Sequence, residues 1–297
     1  MNRVVKILFL STFVVFKSII GFSQNDLRKH IIILDSIVDQ YHIEKFTLNT
    51  KELYNLSENV EIFNIFLNSQ TILLFSVLPS FEDDGNWQKI KLKDVRNRIF
   101  SRADMRSLIR NNNLNIKLEK NLDFAIVKRI GENFFISKNC LTEVFDIRSY
   151  PPPFTTTCGT INFAGNLVSI KDMEIAYKKQ FPKYAFPMNP QNDHSIIFDE
   201  ALLKREYLSK IFKINGGTAY QFWTFIGWNV MDGWNVQRGI DRFVFLPGKG
   251  IVGGSFDFWF AFKPPMANYK IGGVPVKAKK MWDNIINERV MLAEELK

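Results

Sequence analysis

Apolar residues recur along this chain at two different periods, and the switches between them predict its elements. Leu27, Ile31, Leu34, Val38 and Tyr41 repeat at helical spacing, and Asn25 or Asp26 is placed to cap the start. A second helix is expected over Thr50–Leu67. TILLFSVLPS (Thr71–Ser80) is a continuous apolar run closed by proline, which suits a buried strand, and FEDDGN after it is a turn on composition. Ser101–Asn112 predicts a short helix in which Ser101 caps and Asp104 lies near the positive end. LNIKLEK and LDFAIVKRIGENFFISK read as strands, the second folding back at Gly131–Asn133.

The run Pro151–Pro153 suits neither a helix nor a central strand, so it marks a surface bend or a seam. Beyond it TTTCGTINF reads as strand and FPKYAFPMNPQND as loop. DEALLKREYLSKIFKINGG predicts a helix capped by Asp199 and ended by Asn215–Gly216, with Leu203, Tyr207 and Ile211 on its apolar stripe. Three strand-like runs follow, Tyr220–Val230, Arg242–Leu246 and Ile251–Phe262. In the last, Phe256, Phe258, Phe260 and Phe262 alternate with Ser255, Asp257, Trp259 and Ala261. A final amphipathic helix is expected from Lys277, carrying Met281, Trp282, Ile285, Ile286 and Leu292. The fold class read from these elements is α+β: a C-terminal antiparallel sheet of three or more strands packed with amphipathic helices, and an irregular N-terminal part. Residues 1–23 form a leader, and 24–150 and 151–297 form two regions or a single domain.

Export changes the picture of where this chain works. Arg3 and Lys6 precede the mostly apolar Ile7–Phe16, and Gly21 and Ser23 are small residues suited to a signal-peptidase site. Lys17 interrupts the run short of the ~20 residues that span a bilayer. Cleavage near Ser23 would leave a periplasmic or extracellular protein with no transmembrane anchor. The formal charge of +9 includes Arg3, Lys6 and Lys17, so +6 remains beyond the leader. That charge sets no partner, and the basic stretch Lys89–Arg98 lacks the aromatic interleaving of a nucleic-acid site, so no nucleic acid is expected. Cys140 and Cys158 are the only cysteines. In an oxidising compartment they are expected to form a disulfide.

Candidate chemistry is sparse. Gly248, Gly250 and Gly253 have the spacing G-x-G-x-x-G, but a dinucleotide loop needs a helix after it, so a hairpin turn with a bulge is expected and no cofactor is assigned. No metal site is expected, since the chain has no HExxH, no CxxC and no clustered histidines. The polar, turn-rich MDGWNVQRGID holds Trp234 with Asp232, Asn235, Arg238 and Asp241, where a loop needs no core aromatic. With Asp257 and Trp259 these residues form the candidate binding site for a glycan, a peptide or a partner protein. Two other functional classes stay open. One is a hydrolase of cell-envelope polymers using Cys158 with His194, or a pair among Asp232, Asp241 and Asp257. The other is a carrier holding an apolar ligand between the aromatic strands and the terminal helix.

Overall fold

Every residue of Thr71–Leu78 is buried, and the architecture explains why. The computed structural model describes residues 30–79, 85–101, 103–105, 120–121, 124–148, 159–180, 182–183, 206–224, 239–261 and 283–297. In chain order the first strands are β1 (His30–Ile33), β2 (His42–Leu48), β3 (Val60–Asn68), β4 (Thr71–Leu78) and β5 (Trp87–Ile90). Then come β6 (Lys120–Asn121), β7 (Phe124–Ile130), β8 (Asn133–Ser137), β9 (Asn139–Ile147) and β10 (Gly159–Ile161). The last are β11 (Glu206–Ile214), β12 (Gly217–Thr224), β13 (Arg242–Leu246), β14 (Gly250–Ser255) and β15 (Met291–Leu292). Helices among the described residues include α1 (Lys51–Tyr54), α2 (Leu92–Val95), α3 (Ile170–Gln180) and α4 (Asp257–Ala261), of which α3 has 11 residues and the others four or five.

These strands build three stacked sheets. The central one runs β10-β9-β4-β3-β2, with β6 also on β9, and β4 lies in its middle. Ile72, Leu74 and Leu78 point to one side, into a core shared with the C-terminal sheet β11-β12-β13-β14-β15. Leu73, Phe75 and Val77 point to the other side, into a core shared with the sheet β1-β7-β8-β5. A strand covered on both faces has no reason to alternate, which is why β4 reads as one apolar run. The aromatics pack edge to face and in stacks between the sheets. Phe243 stacks on Phe222 at 5.1 Å and meets Phe145 edge-on at 4.9 Å.

The α+β reading is therefore corrected: the chain is mostly β, with three sheets and few short helices. The C-terminal sheet packs on another sheet, where amphipathic helices were expected. Each misread helix has a physical reason. Glu206–Ile214 is a strand with a bulge between Leu208 and Lys210. The extra residue shifts the alternation, so Tyr207, Leu208, Ile211 and Phe212 imitate helical spacing. Asn215–Gly216, read as a helix end, is the two-residue turn that brings Gly217 opposite Ile214. The β-branched run His30–Ile33 pairs in parallel with β7, where a helix was expected over 25–41. Of the helix expected over 50–67, only α1 forms before β3 takes over. The error runs the other way at Asp257–Ala261, a helix whose Phe260 N–H bonds to the Phe256 carbonyl at 3.1 Å. Residues i and i+4 share a face at both periods, so alternating aromatics cannot separate the two. Of the terminal helix expected from Lys277, residues 277–282 lie outside the described residues, 283–286 form a helical turn, and Leu292 lies in a strand.

Other expectations match the structure. β7 and β8 form the hairpin turned by Gly131, and β13 and β14 form the hairpin around Gly248 with a register shift at Val244/Phe245. Ser101 Oγ takes the Asp104 N–H at 3.2 Å, while the Asp104 carboxylate takes the Ser101 N–H at 2.8 Å, a reciprocal cap. The leader, the prolines 151–153 and the loop 184–193 lie outside the described residues. Among the described residues no helix is long and apolar enough to cross a membrane.

The outer sheet is bound to the central one by charge as well as by apolar contact. Glu61 on β3 takes hydrogen bonds from Trp87 Nε1 at 2.5 Å and Lys128 Nζ at 3.1 Å, and pairs with Lys45 at 2.5 Å. Lys128 Nζ also sits 3.8 Å from the Trp87 ring centre. Burial pushes the Glu61 carboxyl up, but the bonds from Lys45 and Trp87 and the two ammonium charges outweigh it, and its pKa is lowered. A lowered carboxylate pKa stabilises the fold above the unfolded value of about 4.3 and is lost as pH falls through the folded one. Glu61→Gln is therefore expected to cost stability at pH 7, and the deficit to shrink below pH 4. Urea midpoints at pH 7 and pH 3 check this; a deficit of equal size at both would refute the assignment.

Candidate functional site

The C-terminal sheet gathers its polar residues at one end. β12 stops at Thr224, β13 starts at Arg242 and β14 stops at Ser255, so one row crosses three strands. Arg242 lies opposite both Trp223 and Ser255, while the Asp241 carbonyl takes the Thr224 N–H at 2.9 Å and the Asp241 N–H reaches the Ser255 carbonyl at 2.8 Å. α4 leaves directly from this row and α1 packs on it, with Tyr54 and Phe260 ring centres 4.2 Å apart.

At the centre is a buried ion pair. Arg242 Nη2 lies 2.5 Å from Asp257 Oδ2, with the side chains 1 % and 0 % exposed. Two isolated charges at that depth would be prohibitive, and the neighbours show how the cost is met. Tyr54 donates its hydroxyl hydrogen to Asp257 Oδ1 at 3.2 Å and accepts the Phe256 N–H at 2.7 Å. Arg242 donates Nε and Nη2 to the Arg289 carbonyl at 3.1 and 3.0 Å. Arg289 in turn reaches Glu52 at 2.6 Å, and Asn284 donates to the Leu53 carbonyl at 3.4 Å. Burial, and then the Asp257 charge, hold the Tyr54 phenol well above its ordinary pKa, with Asp241 adding to the same effect and Arg242 opposing it. The phenol is thus a neutral donor at any physiological pH. Asp257 is committed to two partners and acts as an anchor joining β13, α1 and α4.

Around this anchor several polar atoms are buried without a hydrogen-bond partner among the described residues: Thr224 Oγ1, Ser255 Oγ and Trp259 Nε1. Leaving such a group unmatched costs about 1–3 kcal/mol. All are neutral, two hydroxyls and one indole N–H.

The predicted site residues divide sharply. Asp241, Asp257 and Trp259 come together here, but inside the protein, at 8 %, 0 % and 3 % exposure. Trp223 is likewise core, packed in the cluster between the sheets. Trp234, Asp232, Asn235 and Arg238 lie outside the described residues, as do Trp228, His194 and Cys158. The stretch that holds Trp234 lies in sequence between Thr224 and Gly239, described residues that flank the anchor. Cys140 is fully buried on β9, in the core facing the outer sheet. Sequence reasoning missed Arg242, Tyr54, Thr224, Ser255 and Asn284. Arg242 carried a readable signal: a lone cation opening the apolar strand RFVFL requires a buried counter-charge.

Compared with protein-family models, with curated proteins and with solved structures, the chain matches none of them.

Proposed function

We propose that this chain is an exported, non-catalytic binding protein, whose ligand surface lies at the end of the C-terminal sheet between Thr224 and Arg242. The ligand is a glycan, peptide or partner protein that offers neutral hydrogen-bonding groups. The observation that carries this reading is the set of neutral groups, Thr224 Oγ1, Ser255 Oγ and Trp259 Nε1, buried without a hydrogen-bond partner among the described residues, around an ion pair already satisfied within the protein. Charge there is internally balanced, so affinity would come from neutral hydrogen bonds and aromatic contact. Trp234, with Asp232, Asn235 and Arg238, belongs to the stretch joining those two strands, and an indole combines a flat apolar ring with a hydrogen-bond donor. The leader supports action outside the cytosol.

The test is a double replacement, Trp234→Ala with Asp232→Ala, measured on glycan and peptide arrays against the wild type. Loss of an aromatic anchor of this kind typically costs 2 kcal/mol or more, so binding should weaken about 30-fold. Equal binding of the double variant to each ligand the wild type retains would end the assignment.

A further inference from the structure

The C-terminal segment, residues 288–297, is held as a bound peptide would be. Its β15 adds to β14, with Met291 opposite Gly254 and Leu292 opposite Gly253. The Ala293 N–H reaches the Val252 carbonyl at 2.9 Å, and on its other side Ala293 bridges Leu48 of β2 in antiparallel fashion. The Glu295 carboxylate takes the Thr47 N–H at 3.0 and 3.1 Å. The segment therefore fills the gap between two strand edges, β14 and β2, that would otherwise stay open.

The body is shaped to receive it. A Cβ at Gly253 would stand 2.5 Å from the Met291 carbonyl oxygen, so the missing side chain is what lets the added strand approach. Side chains of the C-terminal sheet reach out to its backbone. Gln221 Nε2 donates to the Glu288 carbonyl at 2.9 Å, Arg242 donates twice to the Arg289 carbonyl, and Asn215 Nδ2 donates to the Lys297 oxygen at 3.2 Å. Met291 and Ala293 are buried, at 3 % and 0 % exposure. The backbone bonds internal to its end are the last-turn contacts Leu296 N–H to Ala293 and Lys297 N–H to Glu294. Its affinity resides in the body of the protein.

We infer that the gap between β14 and β2 is a strand-accepting slot, filled in the monomer by the chain's own C-terminal segment and able to take the same segment from a second copy. The occupant is set by the slot's fit. It reads a small residue at Ala293, an apolar one at Met291 and a carboxylate at Glu295, and an identical chain presents all three. Exchange would replace each contact with its equal, so only association entropy opposes it. Residues 262–282 separate α4 from the helical turn that leads into the segment, and that length of chain can reach up to roughly 70 Å when extended.

The experiment refolds the full chain from denaturant at low and high concentration, and separates the products by size exclusion with light scattering. At roughly 0.5 mM a dimer with the monomer's circular dichroism is expected, slow to revert on dilution as exchanged dimers are. A synthetic peptide of residues 285–297, in excess during refolding, should cut the dimer fraction about tenfold by mass action. A chain that refolds only as monomer at every concentration would overturn the inference. So would a dimer indifferent to the peptide, because it would be using another surface. Neither result touches the ligand assignment, which rests on Thr224, Ser255 and Trp259.

Discussion

Replacing Arg242 by Met is expected to destabilise the protein by about 3–5 kcal/mol, the usual cost of stranding one member of a buried pair. Asp257, 0 % exposed, would be left with only the Tyr54 hydroxyl as a partner, and the Arg289 carbonyl would lose both of its side-chain donors. The double variant Arg242→Met with Asp257→Leu should recover much of that loss, because it removes the charge together with its partner. A double-mutant cycle in urea separates the coupling from the packing change. Tyr54 supplies an independent check. Its folded pKa is raised, so its contribution is complete below the unfolded value of about 10 and is lost as pH rises through the folded one. Tyr54→Phe should remove that alkaline loss while costing about 2–4 kcal/mol at neutral pH, because the Asp257 carboxylate and the Phe256 N–H each lose a partner. A cost below about 1 kcal/mol for Arg242→Met would mean that water reaches the pair and screens it.

The anchor shows what could be read ahead of the structure and what could not. β4, the β7–β8 hairpin and β13 were legible because their residues meet one rule each: a run buried on both faces, a glycine turn between alternating strands, a short β-branched and aromatic segment. β11 was not, because a single bulge at Leu208/Lys210 turns alternation into something that resembles a helix, and bulges are decided by the neighbouring strand. α4 failed for the reverse reason. The side chain of Tyr54, far away in sequence, packs on Phe260 and accepts the Phe256 N–H, a tertiary demand that local alternation does not contain. Asp257 and Trp259 were singled out as site residues since they stood beside one another in a polar-aromatic context. Their burial depended on α1 and residues 283–290, which reach them from opposite ends of the chain. Composition and period describe one segment at a time, whereas the ion pair is a property of four segments meeting.

Asn64→Leu is expected to cost about 2–5 kcal/mol, because it unpairs two buried backbone groups at once. Asn64 is 0 % exposed on β3 of the central sheet, yet its hydrogen bonds go to the other sheet: Oδ1 accepts the Ile251 N–H at 2.7 Å and Nδ2 donates to the Ile251 carbonyl at 2.8 Å. One amide thus does for β14 what a neighbouring strand would do, and it fixes the depth at which the sheets meet. Gly250 has φ +84 and would bring a Cβ to 2.6 Å from Asn64 Oδ1, so the approach is built from both sides. Asn64→Asp separates the two bonds. It keeps an acceptor for the N–H but sets a carboxylate against the Ile251 carbonyl, so it should be the worse variant at pH 7. Acidification would then protonate the Asp and restore a donor, and burial raises its pKa, so the Asp variant should gain on Asn64→Leu as pH falls. Urea unfolding of both variants at pH 7 and pH 4 checks this order. If the m-value holds while the midpoint drops, the two sheets unfold as one unit and this amide is part of what couples them. An Asp variant as stable as the wild type at pH 7 would show instead that the seam opens to water, and that the cores on either side hold the sheets together without it.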